Sequence, residues 1–201
     1  MQTDGPMQQP VNLVLFARFP VAGSCKTRLI PAVGEEGAAD IHRKLTERTF
    51  GLLRQASGTT TIAFTGGEIE EFAAWLGEGV EFVEQAEGGL SERLLPFAEK
   101  APVIFFGADT PDLSLEIVEA AIDGLARHRV VVGPAEDGGY YLIGMKEPLP
   151  ELLTDMLWST EHVLPETLRR LERLGIEPLR LPTLADCDRP EDLARWPALT
   201  S

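Results

Sequence analysis

The sequence predicts an α/β fold, a three-layer sandwich in which a mostly parallel sheet lies between helices. Three observations predict it. Short, β-rich apolar runs alternate with helical patterns along the chain. The runs lack polar alternation, which suits strands covered on both faces. No linker-like composition shift, repeat or low-complexity segment interrupts them. Residues 11–201 therefore read as one domain behind a polar leader, residues 1–10, that contains Gly and Pro.

The elements follow in order. Residues 11–17 are the first buried-strand candidate, 60–64 the second and 80–83 a weaker third. Residues 103–106, Val-Ile-Phe-Phe, are the strongest; 130–132, 140–143 and 176–181 complete the set. After the first strand, Ala38, Ile41, Leu45, Phe50 and Leu52 recur at helical spacing. Ser114 reads as an N-cap for a helix with an apolar stripe at Ile117, Val118, Ala121, Ile122 and Leu125. A third helix is expected over 161–174, capped by Ser159 or Thr160 and ended by Gly175.

The composition excludes several functions. The chain has 201 residues, 18 Lys+Arg and 32 Asp+Glu, for a net charge of −14. Such a surface repels nucleic-acid backbones and anionic membranes, so neither is an expected partner. No stretch approaches the ~18 apolar residues of a membrane span, and the start does not resemble a signal peptide. Cytoplasmic location is the expectation. Cys25 and Cys187 show no CxxC spacing and are expected as free thiols. Nothing in the sequence speaks to oligomeric state.

In open α/β sheets, ligands sit beyond the carboxyl ends of the strands. The loop after the first strand is unusual there. From residue 5 to 34 the acidic chain has no acid at all, and its only charges are Arg18, Lys26 and Arg28. Gly23 permits close backbone approach, and Lys26 and Arg28 can neutralise phosphate oxygens. Lys26-Thr27 is the only match to a Walker loop: Pro20 and Cys25 stand where glycines belong. Pro31 is expected to stop a helix from starting directly after the pair. A P-loop phosphotransferase is discounted on these grounds.

Carboxylates supply the other half. Asp109, just beyond the strongest strand, is the first choice to hold Mg²⁺ (or Mn²⁺) against phosphates. Asp112 reads as a turn or cap residue. Asp186 and Asp188 are competing second ligands, with Asp188 also a candidate cap for a short last helix. Asp137, Gly138 and Gly139 form a hairpin-type turn whose amides can meet a ligand. Trp158 is either a stacking platform or a packed aromatic. The sequence lacks a GxSxG elbow, broken at Arg93, and a GxGxxG fingerprint, so hydrolase and dehydrogenase readings lose support.

Five blocks taken together resemble a bacterial family of uncharacterised proteins labelled glycosyltransferases, in the nucleotide-diphospho-sugar transferase (GT-A, Rossmann-like) superfamily. They are FARFPVAGSCKTRLIP at 16–31, GADTPDL at 107–113, GPAEDGGYYLIG at 133–144, WST at 158–160 and DCDRPEDL at 186–193. Their order also resembles the phospholactate guanylyltransferases and, more distantly, the molybdenum-cofactor guanylyltransferases. The resemblance implies Lys26 and Arg28 on nucleotide phosphates, with Arg18, Gly23 and Thr27 in the same loop. It implies Asp109 on the metal, Asp188 as second ligand, and Ser91 in a base-touching segment.

The expectation is an Mg²⁺-dependent transferase with a nucleotide or nucleotide-sugar donor and a small-molecule acceptor. Lys26, Arg28 and Asp109 would carry the chemistry. For glycosyl transfer, Glu136 or Asp137 would be the base. The alternative is a non-catalytic nucleotide-binding or partner-binding module.

Overall fold

The computed structural model describes residues 10–200. Apart from Pro10, the expected leader lies outside the described residues. Seven strands form one sheet: β1 (Asn12–Arg18), β2 (Thr59–Thr65), β3 (Glu81–Glu84), β4 (Val103–Phe106), β5 (Val130–Pro134), β6 (Tyr140–Met145) and β7 (Leu179–Arg180). Their order is β3-β2-β1-β4-β6-β5-β7. Only β6 runs against the rest, pairing antiparallel with both β4 and β5. β1 pairs in parallel with β2 on one side and β4 on the other, with Leu15 opposite Phe106. The chain thus turns left after β1 and right into β4, which opens a crevice at their carboxyl ends.

The helices are α1 (Ile30–Leu53), α2 (Ile69–Leu76), α3 (Leu90–Ala98), α4 (Leu115–Arg127) and α5 (Val163–Arg173). Alternate side chains of β1 face opposite layers. Leu13, Leu15 and Ala17 pack with Phe50 and Leu53 of α1, Phe72 of α2 and Val118, Ala121 and Leu125 of α4. Val14 packs instead with Leu94 and Phe97 of α3 and Leu171 of α5. Both faces are dry, which explains why the strands read as unbroken apolar runs.

The expected α/β sandwich is present, and its departures from expectation have physical reasons. α1 begins at Ile30, right after a 3-10 turn at Thr27–Leu29, so Pro31 does not block it. In the first turn a backbone N–H has no intrahelical acceptor, so a proline, which has none, loses no bond there, and its fixed φ suits the helix. A kink at Gly34, at φ 75°, then redirects α1 along the sheet. α5 starts at Val163, two residues later than expected, and its N-cap His162 makes no side-chain cap bond. Thr160 instead receives the His162 amide while donating to the Leu157 carbonyl. β7 shrinks to two residues because Pro178 and Pro182 bracket an edge strand. α2 and α3 went unread in a Glu-rich stretch. α2 is nevertheless signed by a Glu68/Glu71 capping box, while α3 tolerates Pro96. Ser114 caps α4 as expected, accepting from the Ile117 amide.

The C-terminal segment completes the fold. Leu193, Trp196 and Leu199 pack on Leu29, Ala38, Ile41 and Leu45 around the fully buried Cys187. This docking brings residues 186–188 beside the first loop. Asp112 takes part: it accepts from the Trp196 indole at 3.0 Å rather than capping α4.

Arg170 of α5 is buried and donates to the carbonyls of Glu151, Thr154 and Asp155 as well as to Glu166. Replacing it leaves the carbonyls of Glu151, Thr154 and Asp155 without this donor. Arg170→Met should lower unfolding free energy by about 3 kcal/mol in urea titrations, at the upper end for buried groups left unsatisfied. A wild-type midpoint would show that water replaces the guanidinium.

Candidate active site at the carboxyl ends of β1 and β4

The first loop is built to present Lys26 inward. Gly23, at φ 78°, turns the chain back after Pro20 and Val21, and the Ser24 amide donates to the Val21 carbonyl. Cys25 is buried, its Sγ toward the carbonyls of Phe19 and Val21. Lys26 itself has φ 45° and ψ 42°, left-handed geometry that costs an L-residue about 1–2 kcal/mol. Buried Leu29 anchors the turn that follows. Strain on a non-glycine residue is held only where surrounding contacts over-determine it.

Those contacts are electrostatic. The Lys26 Nζ lies 2.6 Å from Asp109 Oδ1, 3.2 Å from Asp188 Oδ1 and 2.7 Å from the Cys187 carbonyl. Its side chain is 3% exposed, against 48% for Asp109 and 40% for Asp188. Arg28, 62% exposed, reaches Asp188 Oδ2 at 2.6 Å. Burial works against the Lys26 charge, but Asp109 and Asp188 outweigh it and raise its pKa. Burial likewise opposes the Asp188 carboxylate, and Lys26 with Arg28 overcome it and lower its pKa. The Cys187 amide donates to the Asp109 carbonyl at 2.8 Å, clamping the two acidic loops together.

Asp186 stands differently. Its Oδ1 accepts from the Thr110 hydroxyl at 2.7 Å. Burial, with the neighbouring carboxylates of Asp137 and Asp109, pushes its pKa up to about 6.

Two hollows adjoin here. One of about 360 Å³ is lined by Arg18, Ser24, Lys26, Arg28, His42 and Asp109, among others. The other, about 490 Å³, shares Arg28 and Asp188 with it and adds Asp137, Ser159 and Asp186. A larger hollow of about 750 Å³ lies at the amino ends of β1–β3, at the opposite end of the strands from this chemistry.

Arg18, Lys26, Thr27, Arg28, Asp109 and Asp188 line one hollow, and Asp137 borders its neighbour. Ser91 and Trp158 line neither hollow. They meet each other, the indole donating to Ser91 Oγ at 2.8 Å while Ser91 donates to the Leu153 carbonyl. Tyr140 packs edge-on against the same indole. In the 137–139 turn the amides already have partners: Gly138 donates to the Ala135 carbonyl and Gly139 to Asp137 Oδ1. Glu136 is occupied by Arg195 at 2.8 Å, which lowers its pKa and removes it as a ready base. Asp188 does not cap the last helical turn. Asp192 does, accepting the amides of Asp188 and Arg189.

Sequence reasoning missed three participants. His42 of α1 is buried, its pKa lowered by that burial, with Nε2 3.0 Å from the Arg18 carbonyl at the end of β1. Thr110 holds Asp186, and its place directly after Asp109 was the available signal. The Cys187 carbonyl is a backbone group and leaves no trace in composition.

Among the described residues no three His, Cys, Asp or Glu side chains form a ready metal cage. Mg²⁺ needs fewer protein ligands, one or two carboxylates with water and substrate phosphates. The donors present are hard oxygens, and they already seat a positive charge, the Lys26 ammonium. They fit a divalent cation in chemistry.

The sheet order and the solved structure matched below place the chain in the GT-A-like, Rossmann-related fold of the nucleotide-diphospho-sugar transferase class. Within it the chain belongs to a family described as uncharacterised proteins conserved in bacteria (DUF2064), whose model matches residues 49–160. No curated protein matches the sequence. Among solved structures it is similar to a provisionally named nucleotide-diphospho-sugar transferase from Desulfovibrio desulfuricans G20. The two are 29% identical with a TM-score of 0.87, over 94% of this chain and 87% of that one. It is also similar in fold to CMP:2-keto-3-deoxy-manno-octonic acid synthetase complexed with CTP, at 13% identity and TM-score 0.58, over 95% and 98% of the chains. Rv0371c of Mycobacterium tuberculosis H37Rv, in complex with manganese, matches at 18% identity and TM-score 0.55, over 94% and 98%. No helix among the described residues is long and apolar enough to cross a membrane.

Gly138, at φ 90°, is the one residue type its turn accepts: a Cβ there would lie 2.5 Å from the Glu161 carbonyl oxygen. Gly138→Ala should destabilise the fold by more than ~1 kcal/mol and shift the 137–139 turn away from residues 159–161. Thermal melting measures the first effect and amide chemical shifts the second.

Proposed function

We propose that the protein is a divalent-metal-dependent transferase that moves a nucleotidyl group from a nucleoside triphosphate to a small-molecule acceptor, with residues 11–201 as its working domain in the cytoplasm. The observation that carries this is the meeting of Arg18, Lys26 and Arg28 with Asp109 and Asp188 in one hollow at the switch point. An acidic chain gathers positive charge there and nowhere else within its first 34 residues. The neighbours named as nucleotidyl- and sugar-transferring enzymes support the same class.

In the proposed reaction an acceptor oxygen attacks the α-phosphorus, the bond to the bridging oxygen breaks, and pyrophosphate leaves. Catalysis of this kind rests on positioning and on stabilising charge. Arg28, its side chain 62% exposed, takes phosphate oxygens in a planar, two-pronged way. Arg18 extends the positive wall from the end of β1. Lys26 keeps Asp109 and Asp188 at a fixed separation. When bound, Mg²⁺ or Mn²⁺ would be held by Asp109 with Asp188 or Asp186, and would supply charge neutralisation at the phosphates. Asp137 and Ser159 border the adjoining hollow, which suits the acceptor.

Glycosyl transfer from a nucleotide-sugar is the second reading, favoured by the 29% identical Desulfovibrio structure. A highly charged leaving pyrophosphate uses the basic loop more fully, so nucleotidyl transfer is preferred.

Calorimetry with nucleoside triphosphates should show binding that strengthens when Mg²⁺ is present and no longer does so in Asp109→Asn. Arg28→Ala should weaken nucleotide binding about tenfold or more, as expected for losing a hydrogen bond to a charged group. Product analysis then decides the chemistry. Pyrophosphate from triphosphates supports nucleotidyl transfer, whereas nucleoside diphosphate from nucleotide-sugars would replace it with glycosyl transfer.

A further inference from the structure

An ammonium has three N–H donors and no acceptor. At Lys26 three oxygens surround it: Asp109 Oδ1, Asp188 Oδ1 and the Cys187 carbonyl, at 2.6, 3.2 and 2.7 Å. None of its donors is left for a phosphate oxygen, and its side chain is 3% exposed. A standing phosphate contact, the role its loop implies, is incompatible with this arrangement. The left-handed backbone at Lys26 shows that the fold accepts strain to hold the ammonium inward.

The charges around it explain what it does there. Asp109 and Asp188 carry −2, and Lys26 with Arg28 return +2, so the quartet is neutral. A divalent cation approaching a neutral quartet gains little Coulomb energy. With the ammonium gone, the same cation meets a net negative seat. A cation bridging Asp109 and Asp188 through the Oδ1 atoms they share with Lys26 would take the lone pairs the ammonium now holds.

We propose that the Lys26 ammonium is the resident counter-ion of the Asp109–Asp188 pair, and that a divalent cation enters the pair by displacing it. The released ammonium turns to the phosphates of the bound nucleotide. This rests on the metal-dependent reading above and goes beyond it, because it makes Lys26 the link between two binding events. Phosphates stabilise the displaced ammonium, and the metal stabilises the vacated carboxylates. Each therefore favours the other, with a coupling that is reciprocal by linkage.

The test uses Mn²⁺ alone, without nucleotide, titrated calorimetrically into the full chain. Lys26→Met should bind Mn²⁺ about tenfold more tightly than wild type, while Lys26→Arg, which keeps the charge, should not. If Lys26→Met binds equally or more weakly while Asp109→Asn still abolishes binding, the exchange is overturned and the metal site stands. If neither wild type nor Lys26→Met binds Mn²⁺, the metal reading fails and takes the exchange with it. A second measurement needs no variant. In protein labelled with ¹⁵N-lysine, the shielded Lys26 ammonium resonance should be lost to fast solvent exchange as Mg²⁺ is raised to saturation. Its persistence with Mg²⁺ bound would overturn the proposal.

Discussion

The site is organised around one ammonium held by two carboxylates and a carbonyl. Lys26 comes from the loop after β1, Asp109 from the loop after β4, and Cys187 and Asp188 from the C-terminal segment. Three stretches far apart in sequence are joined at one nitrogen. Taking such a charge out of water is costly unless its partners surround it. Here they do, so the ion cluster reinforces the placement of three loops that apolar packing around Cys187 brings together. The Cys187 amide bond to the Asp109 carbonyl and the packing of Leu193, Trp196 and Leu199 on α1 serve the same end.

The arrangement also bears on how a chain of net charge −14 would take the anionic ligand proposed for it. Its acids are unevenly spread: residues 68–92 hold eight Glu and no Lys or Arg, while residues 5–34 hold three bases and no acid. The site lies where this basic loop meets a cluster of aspartates. The balance of charge there is nearly neutral and is set by which cation sits between the carboxylates. On the proposed metal-dependent reading, a bound metal would invert the local sign, and the resident lysine would make that inversion an exchange.

Much of the fold was legible because it rests on local pattern. Four apolar residues at 103–106 coincide with β4, and Ser114 caps α4 where its spacing to the apolar stripe requires. The Asp137-Gly138 turn does join antiparallel strands. Legibility failed where a local rule had two outcomes. Pro31 was read as a helix stop and is a first-turn residue. Asp112, a cap or turn residue by its local sequence, receives an indole from a distant segment, and Asp188, equally a cap or a ligand by its local sequence, receives two cations. Ser91 and Trp158, each singled out separately, satisfy one another.

The sequence by itself determined the layer architecture, the acid-free basic loop and the acidic residues beyond β4 and near the C-terminus. These follow from periodicity and from the distribution of charge, which are properties of neighbouring residues. Only the tertiary structure decided that Lys26 faces carboxylates rather than open solvent, that His42 braces the end of β1, and that a backbone carbonyl at Cys187 completes the ammonium's shell. Those contacts join residues more than twenty positions apart, and no local spacing encodes them. They exist because packing the C-terminal segment on α1 leaves a buried charge that only these oxygens are in place to satisfy.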